Sequence, residues 1–185
     1  RVANTVTTTG GKQRSESTSI HYGSIDKNAA LGDTEKVYAK ITTTVSGSQV
    51  SKTFTDGSGN VLRQDSQGIS TYYTYDKSGN CLSQVTLGEG QTMADTAITA
   101  YLYDARGNQI RTIRDADYDR EAKGCRPGEF SIQSKTFYND QDQAVRVDHS
   151  SFFNSDTMAY DIEGRLTEFV QDANVSAVKT SVSYA

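Results

Sequence analysis

Carboxylates are numerous in this sequence, 23 Asp and Glu, against two His and two Cys. Those that recur do so in one setting. Asp56, Asp76, Asp104 and Asp161, with Asn139 in the same register, each follow an aromatic residue by one or two positions and precede Gly59, Gly79, Gly107, Gly164 or Asp142 by three. Two carboxylates can hydrolyse a glycosidic bond, but that chemistry needs one protonated and one ionised group facing each other in unlike surroundings. Carboxylates at equivalent places have like surroundings, and capping a turn is the job their position predicts. The histidines, His21 and His149, stand in strand or loop contexts, and no Gly-x-Ser-x-Gly elbow accompanies them. Asp115, Asp117 and Asp119 have the spacing that opens a calcium loop. Arg120 and Arg126 then stand where such a loop needs Gly and Glu, so a solvated acidic loop is expected. Cys81 and Cys125 have no metal-ligand spacing and are expected as free thiols. Asn174-Val175-Ser176 matches a glycosylation sequon, a pattern that recurs by chance.

The elements that must carry these residues are hairpins. Five segments share an aromatic residue, an Asx, two variable positions, a turn residue and then an apolar residue. They are Phe54-Thr55-Asp56 to Leu62, Tyr75-Asp76 to Leu82, Tyr103-Asp104 to Ile110, Tyr138-Asn139 to Val145 and Tyr160-Asp161 to Leu166. An alternating strand such as Ser70 to Tyr75 arrives, the Asx caps the turn, glycine supplies positive φ, and a second strand leaves. Ile110 and Ile113 break strict alternation, which predicts a bulge or a twist there. The Asx positions are unevenly spaced, as expected when the hairpin is constant and the connections vary. Upstream, Glu35 to Val45 and Gln49 to Thr55 alternate, and Val2 to Tyr22 reads as a hairpin turning at Gly10-Gly11. Ser181 to Tyr184 reads as one more incoming strand. Gly88 to Asp95 and Ala116 to Glu129 interrupt the pattern; the second holds the sole proline, Pro127, and is expected as an exposed excursion, with a short turn at Tyr118 to Ala122.

Composition agrees with a thin sheet. Hydrophobic residues make up 35% and mean hydropathy is −0.63, polar for a globular domain, yet 11 Tyr and 6 Phe argue against disorder. A net charge of −4 with no basic stripe argues against nucleic acid as a partner. No apolar run approaches the about 20 residues that cross a bilayer as a helix. Arg1 to Thr9 contains no secretory h-region, and the chain is expected to be an excised piece of a longer one.

The Tyr75-Asp76…Gly79-Asn80, Tyr103-Asp104…Gly107-Asn108 and Tyr160-Asp161…Gly164-Arg165 segments resemble the YD repeat of the Rhs and YD-repeat families. Three copies with one glycine offset, plus two degenerate ones, carry the resemblance over residues 35–185; residues 1–34 join it by continuity as a degenerate hairpin. The resemblance implies an all-β fold: consecutive antiparallel hairpins in an open, strongly twisted sheet, one segment (1–185) of a spiralling shell. Families of this kind include bacterial polymorphic toxins, the cocoon of insecticidal Tc toxins and teneurin-like receptors. It further implies a non-catalytic role without cofactor or metal, with neighbouring repeats of the parent chain and an enclosed C-terminal toxin as partners. A secreted or cell-surface, bacterial location follows from the same resemblance. The self-cleaving segment of such proteins uses Asp-Pro-x-Gly-type motifs, and no Asp-Pro occurs here. A carbohydrate- or receptor-binding module is the alternative, with Tyr22, Tyr38, Tyr72, Tyr73 and Tyr101 as the stacking surface; neighbours such as Tyr72 and Tyr73 must then face opposite ways. A polysaccharide hydrolase is the third expectation in rank.

Overall fold

The computed structural model describes residues 2–9, 12–92, 95–122, 124–149, 154–172 and 177–184, with side chains from Glu16 onward. The protein is all-β, with no α-helix among the described residues. It divides into two compact units, Arg1–Ile98 and Thr99–Ala185.

The first unit contains β1 (Val2–Thr9), β2 (Lys12–Asn28), β3 (Asp33–Ser46), β4 (Gln49–Thr55), β5 (Val61–Ser66), β6 (Ile69–Tyr75) and β7 (Cys81–Gly88). Each strand pairs antiparallel with the next, so the sheet is a run of hairpins in chain order. β2 is long because it serves two neighbours, pairing with β1 through its first half and with β3 along most of its length. The turn expected at Gly10-Gly11 lies outside the described residues. Tight turns with left-handed backbone close the far ends: Gly47 at φ 61°, and Gln67 and Gly68 at 52° and 75°.

A row of side chains on one face of this sheet is largely buried. Ile41, Phe54, Arg63, Tyr72 and Val85 oppose one another strand to strand, forming a row across it. Phe54, Tyr72 and Val85 are buried, and Ile25 and Leu62 pack against the Ala39–Ile41–Phe54 cluster. Removing each large side chain from water contributes about 1.5–3 kcal/mol. Arg63 belongs to the row because its guanidinium lies over both rings, 5.2 Å from the Phe54 centroid and 5.0 Å from that of Tyr72. Part of the cover comes from the β2–β3 connection. Asn28 caps a single 3-10 turn, Ala29–Leu31, by accepting from Leu31 N at 3.3 Å, and Gly32 ends it at φ 74°. Ala30 and Leu31 are buried, and the turn packs on β7.

The second unit contains β8 (Ala97–Tyr103, starting just before the division), β9 (Gln109–Arg114), β12 (Ile132–Tyr138), β13 (Ala144–His149), β14 (Asn154–Tyr160), β15 (Leu166–Gln171) and β16 (Val178–Ser181). These pair antiparallel in that order. Between β9 and β12 the chain leaves the sheet as a separate ribbon, β10 (Asp117–Asp119) with β11 (Gly124–Arg126). That ribbon is the Ala116 to Glu129 excursion, and its turn lies at Arg120–Ala122. Ala100, Ile113 and Ser155 are buried here.

Candidate functional site: the Asx turns and their tyrosines

Each aromatic–Asx segment closes a hairpin by one hydrogen-bond pattern. In the turn from Asp56 to Asn60, Asp56 N donates to Asn60 O at 3.0 Å and Gly59 N to Asp56 O at 3.2 Å. The carboxylate does the rest. Oδ1 accepts from Ser58 N at 2.8 Å and Asn60 N at 2.9 Å, while Oδ2 accepts from Asn60 Nδ2 at 3.0 Å. Asp76 with Ser78 and Asn80, and Asp104 with Arg106 and Asn108, repeat every bond. Asp161 repeats them with Glu163 and Arg165, whose Nε takes the place of the asparagine amide at 2.7 Å. Asn139 accepts from Gln141 N and Gln143 N, both at 3.0 Å.

The fourth residue of each turn needs positive φ, which glycine adopts at no steric cost. Gly59, Gly79, Gly107 and Gly164 lie between 81° and 93°, and Asp142 takes the place of glycine at 60°. After the turn, every hairpin carries the same bulge. Thr55 opposes Val61 while Phe54 opposes Arg63, so Leu62 is the extra residue. The equivalents are Leu82, Ile110, Val145 and Thr167. Ile110 thus occupies a bulge, which explains the broken alternation at β9.

Hydrogen bonding sets the charge state of these carboxylates. Burial pushes Asp56 up, but the bonds from Asn60, Ser58 and Gly59 outweigh it and hold the group below its ordinary value of 3.8. Asp76 is lowered first by the Asn80 side chain, Asp104 first by Asn108 N, and Asp161 first by Arg165 N. All four are ionised at neutral pH, with both oxygens already taken by their own turn. A general acid needs the opposite.

The tyrosine preceding the Asx works on the neighbouring hairpin. Tyr75 Oη donates to Val61 O at 2.9 Å, Tyr138 to Gln109 O at 3.0 Å and Tyr160 to Ala144 O at 2.8 Å. Each target is the first residue after the preceding turn. The ladder between the hairpins stops two residues short of it, at Arg63↔Tyr72, Arg111↔Lys135 and Arg146↔Thr157. The hydroxyl therefore supplies the donor that the splayed strands no longer offer. Burial, with smaller contributions from Cys81, Tyr73 and Asp56, pushes Tyr75 up to about 12, so it remains a donor. Tyr184 belongs to the series, bonding Leu166 O at 2.9 Å beyond the last rung Glu168↔Ser181. In the first turn Thr55 stands in the tyrosine's place, and its hydroxyl meets Lys40 O at 3.5 Å. Tyr103 ends β8 directly before Asp104 and is half-buried.

Adjacent turns in the second unit are also joined sideways. Arg106 Nη1 lies 3.0 Å from Asp142 Oδ1, which also accepts from Asn108 Nδ2 at 2.7 Å. Gln143 Nε2 donates to Gly164 O at 2.9 Å. Sequence pattern placed the five Asx residues; it could not reveal these lateral bonds, nor the carbonyls the tyrosines reach.

The other tyrosines divide. Tyr72 is buried, whereas Tyr73 is half-buried and donates to Gln64 Oε1 at 3.0 Å. Tyr101 is half-buried in β8. Tyr22 and Tyr38 are 63% and 70% exposed, with near-parallel rings 6.3 Å apart. His21 is exposed, and His149 Nε2 meets Asp156 Oδ2 at 3.2 Å. Cys81 and Cys125 form no disulfide. Asp119 caps its own turn by accepting from Glu121 N and Ala122 N, and no metal-binding group of acids, His or Cys occurs among the described residues. The sequon at Asn174 lies outside the described residues, and among the described residues no helix is long and apolar enough to cross a membrane. Compared with known proteins, the chain matches no family model and no curated protein.

Proposed function

We propose that this protein is a non-catalytic structural segment of a YD-repeat shell, one that encloses or displays an effector domain of a secreted or surface protein. The observation that supports this reading is how the recurring carboxylates are used: Asp56, Asp76, Asp104 and Asp161 each commit both oxygens to their own turn. Their four environments are alike, whereas acid–base chemistry requires unlike ones. The adjoining tyrosines are spent on joining one hairpin to the next, which suits a wall built by adding hairpins. Intact mass and peptide mapping of the natural polypeptide test it. A much longer chain with further aromatic–Asx hairpins and a protected, unrelated domain is expected. A natural product of about this length would overturn the reading.

A second reading, a carbohydrate- or receptor-binding module, is favoured by one observation, the exposed parallel pair Tyr22 and Tyr38. Large exposed aromatic rings mark interaction surfaces. Saturable binding on a glycan array, lost on Tyr38→Ala, would move the function to that pair.

A further inference from the structure

We propose that the second unit carries a binding site for a small oxyanion in the cleft over β9, β12 and β13. Thr112, Ser134 and His149 oppose one another in register across the three strands, and Arg114 opposes Ile132 in the next row of the same face. Together with Gln133 they line a cleft of about 270 Å³.

The hydrogen-bond inventory of this cleft is lopsided. Arg114 is exposed and has no ion-pair partner among the described residues, leaving its planar fork of donors open. Thr112 Oγ1 accepts from Gln109 Nε2 at 2.8 Å, so its own hydrogen remains to be donated. The hydroxyl of Ser134 makes no hydrogen bond among the described residues. Gln133 gives its amide oxygen to Arg111. His149 spends Nε2 on Asp156, whose other oxygen accepts from Asp172 N at 3.1 Å. Each oxygen of that carboxylate thus already holds one bond, and it fixes the imidazole from the side. With Nε2–H given to it, Nδ1 is an acceptor in the neutral ring and a donor to an anion only in the imidazolium. Arg114, Thr112 and Ser134 thus make donors predominate, and no carboxylate among the described residues lines the cleft. The ligand that complements such a set is an acceptor with several oxygens and negative charge: a phosphate, a sulfate or the same group at the end of a larger molecule. Catalysis at this row is not implied, because no hydrogen bond joins Ser134 to His149 among the described residues, and the imidazole nitrogen that is engaged faces the acid.

Calorimetric titration of the 185-residue chain with inorganic phosphate, sulfate and phenyl phosphate at low ionic strength tests the proposal, with amide NMR to locate the site. Saturable one-site binding is expected, with shifts centred on Thr112, Arg114, Ser134 and His149. Arg114→Gln should weaken it about tenfold or more, since a hydrogen bond to a charged group contributes about 1.5–3 kcal/mol. Arg114 is exposed, so this variant keeps the fold, and Lys52→Gln in the first unit serves as the control for nonspecific charge. Phenyl phosphate binding alongside phosphate supports the site and assigns it to a charged group on a larger molecule. Binding of the inorganic anions alone supports it as a site for the free ion. Absence of saturable binding, or equal binding by Arg114→Gln, overturns it.

Discussion

Asn139 donates its side-chain amide to Gln143 Oε1 at 2.8 Å, the reverse of the direction in the other four turns, where the fifth residue donates to an aspartate. The reversal has a consequence. With its oxygen turned inward, Gln143 has its Nε2 free to reach Gly164 O in the next turn. An aspartate in this position would claim the amide nitrogen and force the glutamine to flip, setting its oxygen against that carbonyl.

Asn139→Asp is accordingly expected to destabilise the second unit by about 1 kcal/mol, the usual net worth of one hydrogen bond, although it restores the residue used by the other turns. Asp140 and Asp142 beside it add repulsion. The deficit relative to the unaltered protein should shrink as the new carboxyl protonates and can donate again. Urea unfolding at pH 7 and pH 3.5 checks both halves. An equally stable or more stable variant at pH 7 would show that Gln143 carries no coupling between the turns.

The tyrosine hydroxyls give a second prediction. Tyr75→Phe, Tyr138→Phe and Tyr160→Phe keep the ring and leave Val61, Gln109 and Ala144 carbonyls without their donor. Each is expected to cost about 0.5–1.5 kcal/mol, felt as faster amide exchange in the two strands the hydroxyl joins. Tyr73→Phe, which releases only the Gln64 side chain, should cost less. If all four behave alike, the carbonyl tether contributes nothing specific.

The same comparison shows what could be read from residue order. Tyr-Asp followed by glycine at a fixed offset encodes a turn locally, because the aspartate, the amides it accepts from and the positive φ lie within five residues. The bulge at Ile110 was legible for the same reason. The target of each tyrosine was not, since it is a main-chain carbonyl of the preceding hairpin and any residue provides one. Nor was the burial of Ala30 and Leu31. Asn28 and Gly32 do bracket the 3-10 turn, but a turn of three residues has no periodicity to detect, and its packing on β7 joins residues far apart in the chain.

Acid should loosen every aspartate turn. The folded carboxylates of Asp56, Asp76, Asp104 and Asp161 lie below the ordinary value of 3.8, so folding favours the ionised form. Their contribution is complete above that value and is lost as pH falls through the lower, folded values. The thermal midpoint should therefore change little between pH 7 and pH 5 on their account and drop below about pH 4. In Asp76→Asn the drop should be smaller, because one acid-sensitive turn has been removed. An unchanged pH profile in that variant would mean that the bonds around Asp76 are not coupled to unfolding.

Arg63 offers the sharpest test of the buried row. Its Nε lies 2.6 Å from Asp65 Oδ1, and one Nη donates to Ser70 Oγ at 3.3 Å, while the guanidinium plane sits between Phe54 and Tyr72. A flat cation with donors at its rim satisfies both demands at once: faces for the rings, edges for the carboxylate. Lysine has the charge but neither the plane nor the fork. Arg63→Lys should therefore lose most of what Arg63→Met loses, about 1–3 kcal/mol, despite keeping the charge. Arg63→Met retains an apolar stem between the rings but strands Asp65, and Arg63→Met with Asp65→Ser should recover part of the loss. Urea denaturation of these proteins, with Asp65→Ser alone added, closes the cycle. Lysine behaving like arginine would reduce the residue to a point charge and remove the stacked rings from the account.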